Sequence, residues 1–170
     1  MKKPTIFKGR VWVVNVPDVD TDMIFHNRHL AITDIDKMGQ HTFGNLKGWE
    51  DFPEKAKPGD ILITGHNFGC GSSRQQAVDC FAALGVCAIA GDSYGAIYFR
   101  NAVNSGMPIL VASGITNSGL ENGDIVEIDL EKSTIYCQEK DIKVEAEPFA
   151  GVQMDIYQAG NLFAYGKESS

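Results

Sequence analysis

The feature that most constrains this chain is the run Gly65-His66-Asn67-Phe68-Gly69-Cys70-Gly71-Ser72-Ser73-Arg74, set between the apolar Ile61-Leu62-Ile63 and the amphipathic stretch Gln75 to Leu84. Strand, glycine loop and helix start in that order commit the chain to an α/β architecture. They also place a loop where a helix begins. Three glycines within seven residues let the backbone take positive φ and approach a ligand closely. The first N–H groups of the following helix have no intrahelical acceptor, and with the helix dipole they attract negative charge. Arg74 adds a forked cation suited to a carboxylate or phosphate. Among such donors a serine, Ser72 or Ser73, would have its alkoxide stabilised and could act as base or nucleophile.

Better-known loops do not fit. A Walker loop requires a differently placed glycine and a Lys-Ser or Lys-Thr pair. The dinucleotide fingerprint requires a third glycine where Arg74 stands. A hydrolase elbow requires glycine where Gln75 follows Ser73 and Arg74. What remains is an anion site of another kind, or a loop that only turns the chain and caps a helix.

Around this loop the pattern is regular. Gly9 to Val14 reads as a strand. Ile61 to Thr64, Val86 to Ala90 and Ile109 to Ala112 are short and apolar on both faces, as parallel strands joined by right-handed crossovers are. The first crossover helix puts Ala77, Phe81 and Leu84 on one face and stops at Gly85. The second, about Tyr94 to Ser105, buries Ile97, Tyr98 and Ala102 and ends at Gly106 with Pro108 beyond. Its Arg100, Asn101 and Asn104 are polar positions of the kind that satisfy loop carbonyls or face water. Beyond Gly114, Val126-Ile128-Leu130, Ile135-Cys137 and Ile142-Val144 alternate with polar residues, which predicts three short strands with one wet face; a last helix spans about Pro148 to Ala159. The irregular Ile24 to Leu46 carries a short helix at Thr33 to Met38, capped by Thr33 or Asp34, and is expected to be a mobile segment facing substrate. No repeat or composition shift divides the chain, so residues 1–170 are expected to form one domain, α/β, with a mostly parallel βαβαβ core and an antiparallel C-terminal addition.

Charge and cysteines limit the chemistry. Fifteen Lys and Arg against 22 Asp and Glu give a net charge of −7, which argues against nucleic acid or an anionic membrane surface as a general partner. No apolar run nears the roughly 20 residues of a membrane span, and Met1-Lys2-Lys3-Pro4 leads into no signal-peptide core, so a cytoplasmic protein is expected. Cys70, Cys80, Cys87 and Cys137 form no C-x-x-C pair and the four histidines lack ligand spacing, so no metal site is expected on this chain. Cys70, inside the glycine loop, is read as a small filler of the loop, with exposure at the active site as the alternative.

The run Gly65 to Arg74 resembles the signature of the small, swivelling domain of the aconitase superfamily, most closely the separate small subunits of isopropylmalate and homoaconitate dehydratases. That signature, Asn-Phe-Gly-x-Gly-Ser-Ser-Arg, is met here at each fixed position. Asp20-Thr21-Asp22 and Tyr98-Phe99-Arg100-Asn101-Ala102 with Asn104 and Gly106 extend the likeness over about residues 9 to 112, and the match at Arg100, Asn101 and Asn104 implies that they hold neighbouring loops. The resemblance implies a β/β/α swivelling domain and an enzyme that isomerises a hydroxy acid by losing and re-adding water. It implies Ser72 as the base, Thr21 and Asp22 arranging the catalytic groups, Arg74 clamping a substrate carboxylate, and Ser73 and Gly71 at the substrate. It also implies a [4Fe–4S] cluster on a separate large subunit, with no cofactor bound by this chain. His29-Leu30-Ala31-Ile32-Thr33 falls where such enzymes sort substrates, and Ala31 and Ile32 stand where tricarboxylate enzymes place an arginine. An alkyl-substituted malate is therefore expected, since each buried methylene is worth about 0.8 kcal/mol while an unpaired carboxylate is costly to desolvate. Arg28, close by, is the residue that would favour a tricarboxylate. One departure is Gln75, where many relatives carry glutamate. Two other classes are weighed: a serine hydrolase in which His66 activates Ser72 or Ser73, and a non-catalytic anion-binding module. Self-association of the chain alone is left open.

Overall fold

The computed structural model describes residues 1–168; Ser169 and Ser170, the end of the expected domain, lie outside the described residues. Seven strands form one sheet in the order β4-β3-β2-β1-β5-β6-β7. They are β1 (Ile6–Val14), β2 (Ile61–Thr64), β3 (Ala88–Gly91), β4 (Ile109–Val111), β5 (Ile125–Asp129), β6 (Thr134–Cys137) and β7 (Ile142–Glu145). The longest strand, β1, is the seam. Its first half, Ile6 to Arg10, pairs antiparallel with β5, and its second half, Val11 to Val14, pairs parallel with β2. The parallel part continues through β3 and β4, and the antiparallel part through β6 and β7.

Alternation along β2 decides the layers. Leu62 faces one core with Val14, Ile89 and Ile109, and α3 (Gln76–Ala83) and α4 (Ala96–Asn104) cover that core through Ala77, Phe81, Tyr98 and Ala102. Ile61 and Ile63 face the other core, where the sheet curls over so that Val126, Ile128, Ile135 and Cys137 pack against Ala88, Ala90 and Leu110. Both crossover helices thus lie on one face, as right-handed connections require. The result is the expected β/β/α arrangement. The antiparallel strands have one buried and one wet face.

Three short helices differ from expectation. The segment at Thr33 to Met38 is a single 3₁₀ turn, Ile35–Lys37, capped by the Asp34 carboxylate on the N–H of Asp36 at 3.1 Å. The C-terminal helix begins at Val152 and ends at Ala159 (α5), and a further helix, α6 (Leu162–Glu168), follows it. Two more one-turn helices, α1 (Thr21–Ile24) and α2 (Phe52–Lys55), bracket the irregular segment. That segment is fastened to the core by Phe25 and Phe43, both fully buried; Phe43 meets Phe52 and Phe81 edge-on at 5.2 and 5.3 Å between ring centres. Ile97 is a correction. It is 45% exposed, because on α4 it shares a row with Asn101, toward the glycine loop, while Tyr98 and Ala102 form the buried row.

Candidate active site

The loops leaving the carboxyl ends of β1, β2 and β3 are stitched together by backbone hydrogen bonds. Gly69 N–H donates to Val19 O at 2.7 Å, Thr21 N–H to Cys70 O at 3.0 Å, Phe68 N–H to Ser93 O at 3.1 Å and Gly95 N–H to Phe68 O at 3.0 Å. A crevice outside the carboxyl ends of parallel strands is where open α/β sheets bind ligands. Gly69 is required twice over. Its φ is +79°, and a Cβ there would lie 2.2 Å from the ring of the buried Tyr98. Gly71 has room for a Cβ but a φ of +97°, so only its backbone conformation calls for glycine.

This stitching turns Gly71, Ser72 and Ser73 out to solvent. Their N–H groups have no acceptor among the described residues. Thr21 is buried, and its hydroxyl donates to the carbonyl of Ser72 at 2.9 Å, which fixes the peptide following the serine. Asp22, on the first turn of α1, receives Arg74 Nη1 at 3.0 Å, the N–H of Asn27 at 2.8 Å and Asn45 Nδ2 at 3.1 Å. The Asn27 N–H, followed by Arg74 and the nearby His26, holds its carboxyl below the usual range despite partial burial. Arg74 Nη1 also donates to Phe25 O at 2.9 Å. With its side chain only 11% exposed, the guanidinium is held by one nitrogen, and the remaining N–H edge stays available for a bidentate anion. An exposed hydroxyl, three free amides and a fixed guanidinium together can bind a carboxylate and stabilise an alkoxide.

Of the other expected residues, Ala31 and Arg28 are exposed, and Ile32 is half-buried against the core. Leu30 is tied to α3 by Gln76 Nε2 donating to its carbonyl at 3.3 Å. Gln75 reaches Asp79 at 3.1 Å, away from the serines. His66 does not pair with Ser72 or Ser73: its Nδ1 lies 2.9 Å from Ser93 Oγ, which removes the dyad on which the hydrolase alternative rested. Burial and the carboxylates of Asp20 and Asp18 raise the Cys70 thiol, which keeps it protonated. Two contacts add detail to the expected set, the first of them in keeping with Asn101 as a holder of a neighbouring loop. Asn101 Nδ2 donates to Ser73 Oγ at 3.2 Å. His29 and His41, twelve residues apart, stack at 3.7 Å beside Phe25, with His26 at 6.5 Å from His29. The first had a signal in the Asn101 match; the second depends on how the loop folds. Among the described residues no three His, Cys, Asp or Glu side chains converge to hold a metal, and all four cysteines are free, so a [4Fe–4S] cluster does not fit this chain.

Residues 20–113 match the model of the aconitase C-terminal domain family. The 3-isopropylmalate dehydratase small subunit of Halothermothrix orenii is 38% identical over 91% of this chain and 92% of its own length. The methanogen homoaconitase small subunit of Methanocaldococcus jannaschii is 38% identical over 96% of this chain and 92% of its own. A crystal structure of the 3-isopropylmalate dehydratase LeuD from the same archaeon superposes with a TM-score of 0.87 at 38% identity, covering 96% of this chain and 95% of that one.

Proposed function

The chain belongs to the aconitase C-terminal domain family, and from this we propose that it is the small subunit of a hydro-lyase that isomerises 3-isopropylmalate or a related alkylmalate by dehydration and rehydration. The observation that carries the reading is the exposed Ser72 beside three unengaged loop amides and the Arg74 guanidinium fixed by Asp22. The relatives named as dehydratase small subunits support it along nearly their whole length.

In this mechanism Arg74 takes a substrate carboxylate through its free edge, and the N–H groups of Gly71 and Ser73 complete the anion pocket. Ser72, its alkoxide favoured by those same donors, removes the proton from the carbon beside the carboxylate; the neighbouring carbon loses its hydroxyl, and water returns to the other carbon. Asp22 holds Arg74, and Thr21 holds the Ser72 carbonyl. A [4Fe–4S] cluster, for which the described residues of this chain hold no ligand set, would be held by a large subunit and would there supply Lewis acidity toward the hydroxyl. The site therefore lies between two chains. Ala31 and Ile32 line the end that accepts the alkyl group, and the exposed Arg28 is the nearest cation for a third carboxylate, the feature a homoaconitate-type substrate would use. The chain works as one swivelling domain, residues 1–170, in the cytoplasm. No helix among the described residues is long and apolar enough to cross a membrane.

The test is an anaerobic assay of this chain with the large subunit from the same source, following the unsaturated acid from 3-isopropylmalate by ultraviolet absorbance, with homocitrate and citrate in parallel. Turnover of isopropylmalate that needs both chains is expected, and Ser72→Ala should lose about 10³-fold in kcat while still forming the complex. Preference for a tricarboxylate would transfer the specificity argument to Arg28. A Ser72→Ala complex of full activity, or no turnover of any hydroxy acid, would overturn the reading.

A further inference from the structure

Ser73 presents a hydroxyl with one proton and two lone pairs, and what it offers a ligand depends on which of these its neighbours consume. Asn101 donates Nδ2–H into one lone pair at 3.2 Å. The Ser73 proton is then not needed by Asn101 and turns to the open side of the loop, where the amides of Gly71 and Ser72 also point no bond inward. The opposite amide orientation would take that proton and leave an oxygen lone pair facing an anion, which is repulsive.

Asn101 is held firmly enough to make this choice. The start of α4 is bound to the glycine loop by the Gly95 N–H to Phe68 O bond of 3.0 Å. One turn before Asn101, the buried Tyr98 ties α4 to α3 by donating its hydroxyl to Ala77 O at 2.9 Å. The helix row that carries Asn101 also carries the exposed Ile97, so this face of α4 looks onto the loop and not into the core.

We propose that Asn101 is a positioning residue: it sets Ser73 as a hydrogen-bond donor to a carboxylate of the substrate. This rests on the dehydratase reading. Loss of Asn101 frees the Ser73 hydroxyl to rotate but leaves the base and the clamp intact, so the effect falls on substrate affinity.

The test is a double-mutant cycle in the two-chain enzyme with Ser73→Ala, Asn101→Ala and both, joined by Asn101→Asp. Asn101→Ala should raise KM about 10-fold with kcat within about twofold, the size of one modest hydrogen bond. The double variant should be no worse than Ser73→Ala alone, since the second residue acts through the first. Asn101→Asp should be worse than Asn101→Ala, because its carboxylate takes the Ser73 proton and repels a dianion. Independently of turnover, in the full isolated chain Ser73→Ala should shift the side-chain amide resonance of Asn101. Additive losses in the cycle, equal falls in kcat and thermal stability for both Asn101 variants, or an unmoved resonance would overturn the proposal. A wild-type complex that turns over no hydroxy acid would sink the dehydratase reading and the substrate role together, while the resonance would still decide the Asn101–Ser73 link.

Discussion

Two arginine–aspartate pairs stand at opposite ends of the parallel strands. At the amino end of β2, Arg10 Nη2 meets Asp60 Oδ2 at 2.8 Å; beyond its carboxyl end, Arg74 Nη1 meets Asp22 Oδ1 at 3.0 Å. Distance alone does not separate them. Asp60 is buried, and the same oxygen also accepts from Trp12 Nε1 at 2.8 Å and the N–H of Lys57 at 2.9 Å. Arg10 lies over the Trp12 ring, 4.8 Å from its centre, and gives Nη2 to Lys55 O as well. There three donors converge on one buried carboxylate oxygen, and the spare nitrogens of Arg10 turn to solvent beside no unpaired loop amide. At the other pair the arginine is likewise held by one nitrogen, but it is mostly buried and borders amides without acceptors. The lesson is that an ion pair becomes part of a site through the unpaired groups that surround it.

The largest effect expected from breaking this contrast is on stability, at Asp60. Replacing it with Ala strands the Arg10 guanidinium, the Trp12 N–H and the Lys57 N–H at once, a loss of about 3 kcal/mol. In a chain of this length that is a fall in Tm of about 6–12 °C. Calorimetry should show it, while kcat/KM measured at 20 °C on the folded enzyme should change less than twofold. A stable Asp60→Ala chain with lost activity would erase the distinction between the two pairs.

Next in size is a matched pair of substitutions, Arg74→Lys and Arg10→Lys. Lysine keeps the charge but loses the fork, so at position 74 it can still pair with Asp22 but offers the substrate no bidentate edge. Arg74→Lys should cost about 10²-fold in kcat/KM, about 2.7 kcal/mol of transition-state binding. Arg10→Lys keeps one donor to Asp60 and is 31% exposed on its side chain, so it should cost under about 1 kcal/mol of stability and nothing in rate. Steady-state kinetics and thermal denaturation of the two variants side by side decide it. Equal kinetic losses would mean that the arginine at 74 is structural.

The sequence makes some of this contrast legible. Strand β2 falls at Ile61–Thr64 as its apolar run indicates, and the glycines mark the loop because positive φ demands them. Both crossover helices follow from apolar spacing, yet Ile97 is misplaced: residues 97 and 98 are neighbours on the helix, and spacing does not say which of two adjacent rows the sheet takes. Strand β1 begins three residues before Gly9, because its amino half is made by pairing with β5, a partner more than a hundred residues away. Asp60, in a linker-like run of Pro, Lys and Gly, carries no mark of being buried. Asp22 and Arg74, 52 residues apart, were connected only through their resemblance to a known family. The histidine stack had no signal, since His41 reaches His29 only after Phe25 and Phe43 anchor the segment between.

That stack supplies the smallest expected effect, and one that separates the two ends of the sheet by pH. Burial first, then the neighbouring His41, Arg28 and His26, lower the pKa of His29 from its usual 6.5. A histidine whose folded pKa is depressed favours folding most where it is neutral in both states, above about pH 6.5. As pH falls the unfolded form takes the proton first, and the contribution is lost as pH drops through the folded value. Asp22 titrates elsewhere: its carboxyl and that of Asp60 are both lowered from 3.8, the latter because bonds from Arg10, Trp12 and Lys57 outweigh the opposing effect of burial. Their contributions are present above about pH 4 and lost only below it. Between pH 7 and 5.5 the Asp60 end should therefore be silent, while the turn carrying Arg28 to Ile32 loosens. KM should rise about threefold over that range, a change of under about 1 kcal/mol in substrate binding, and Tm should fall slightly as the stability contributed by neutral His29 is lost. His29→Gln, which stays neutral and similar in reach, should flatten the profile. A variant whose KM climbs with acid as steeply as the wild type would show that the proton is taken up elsewhere, and that this end of the sheet is no more pH-sensitive than the other.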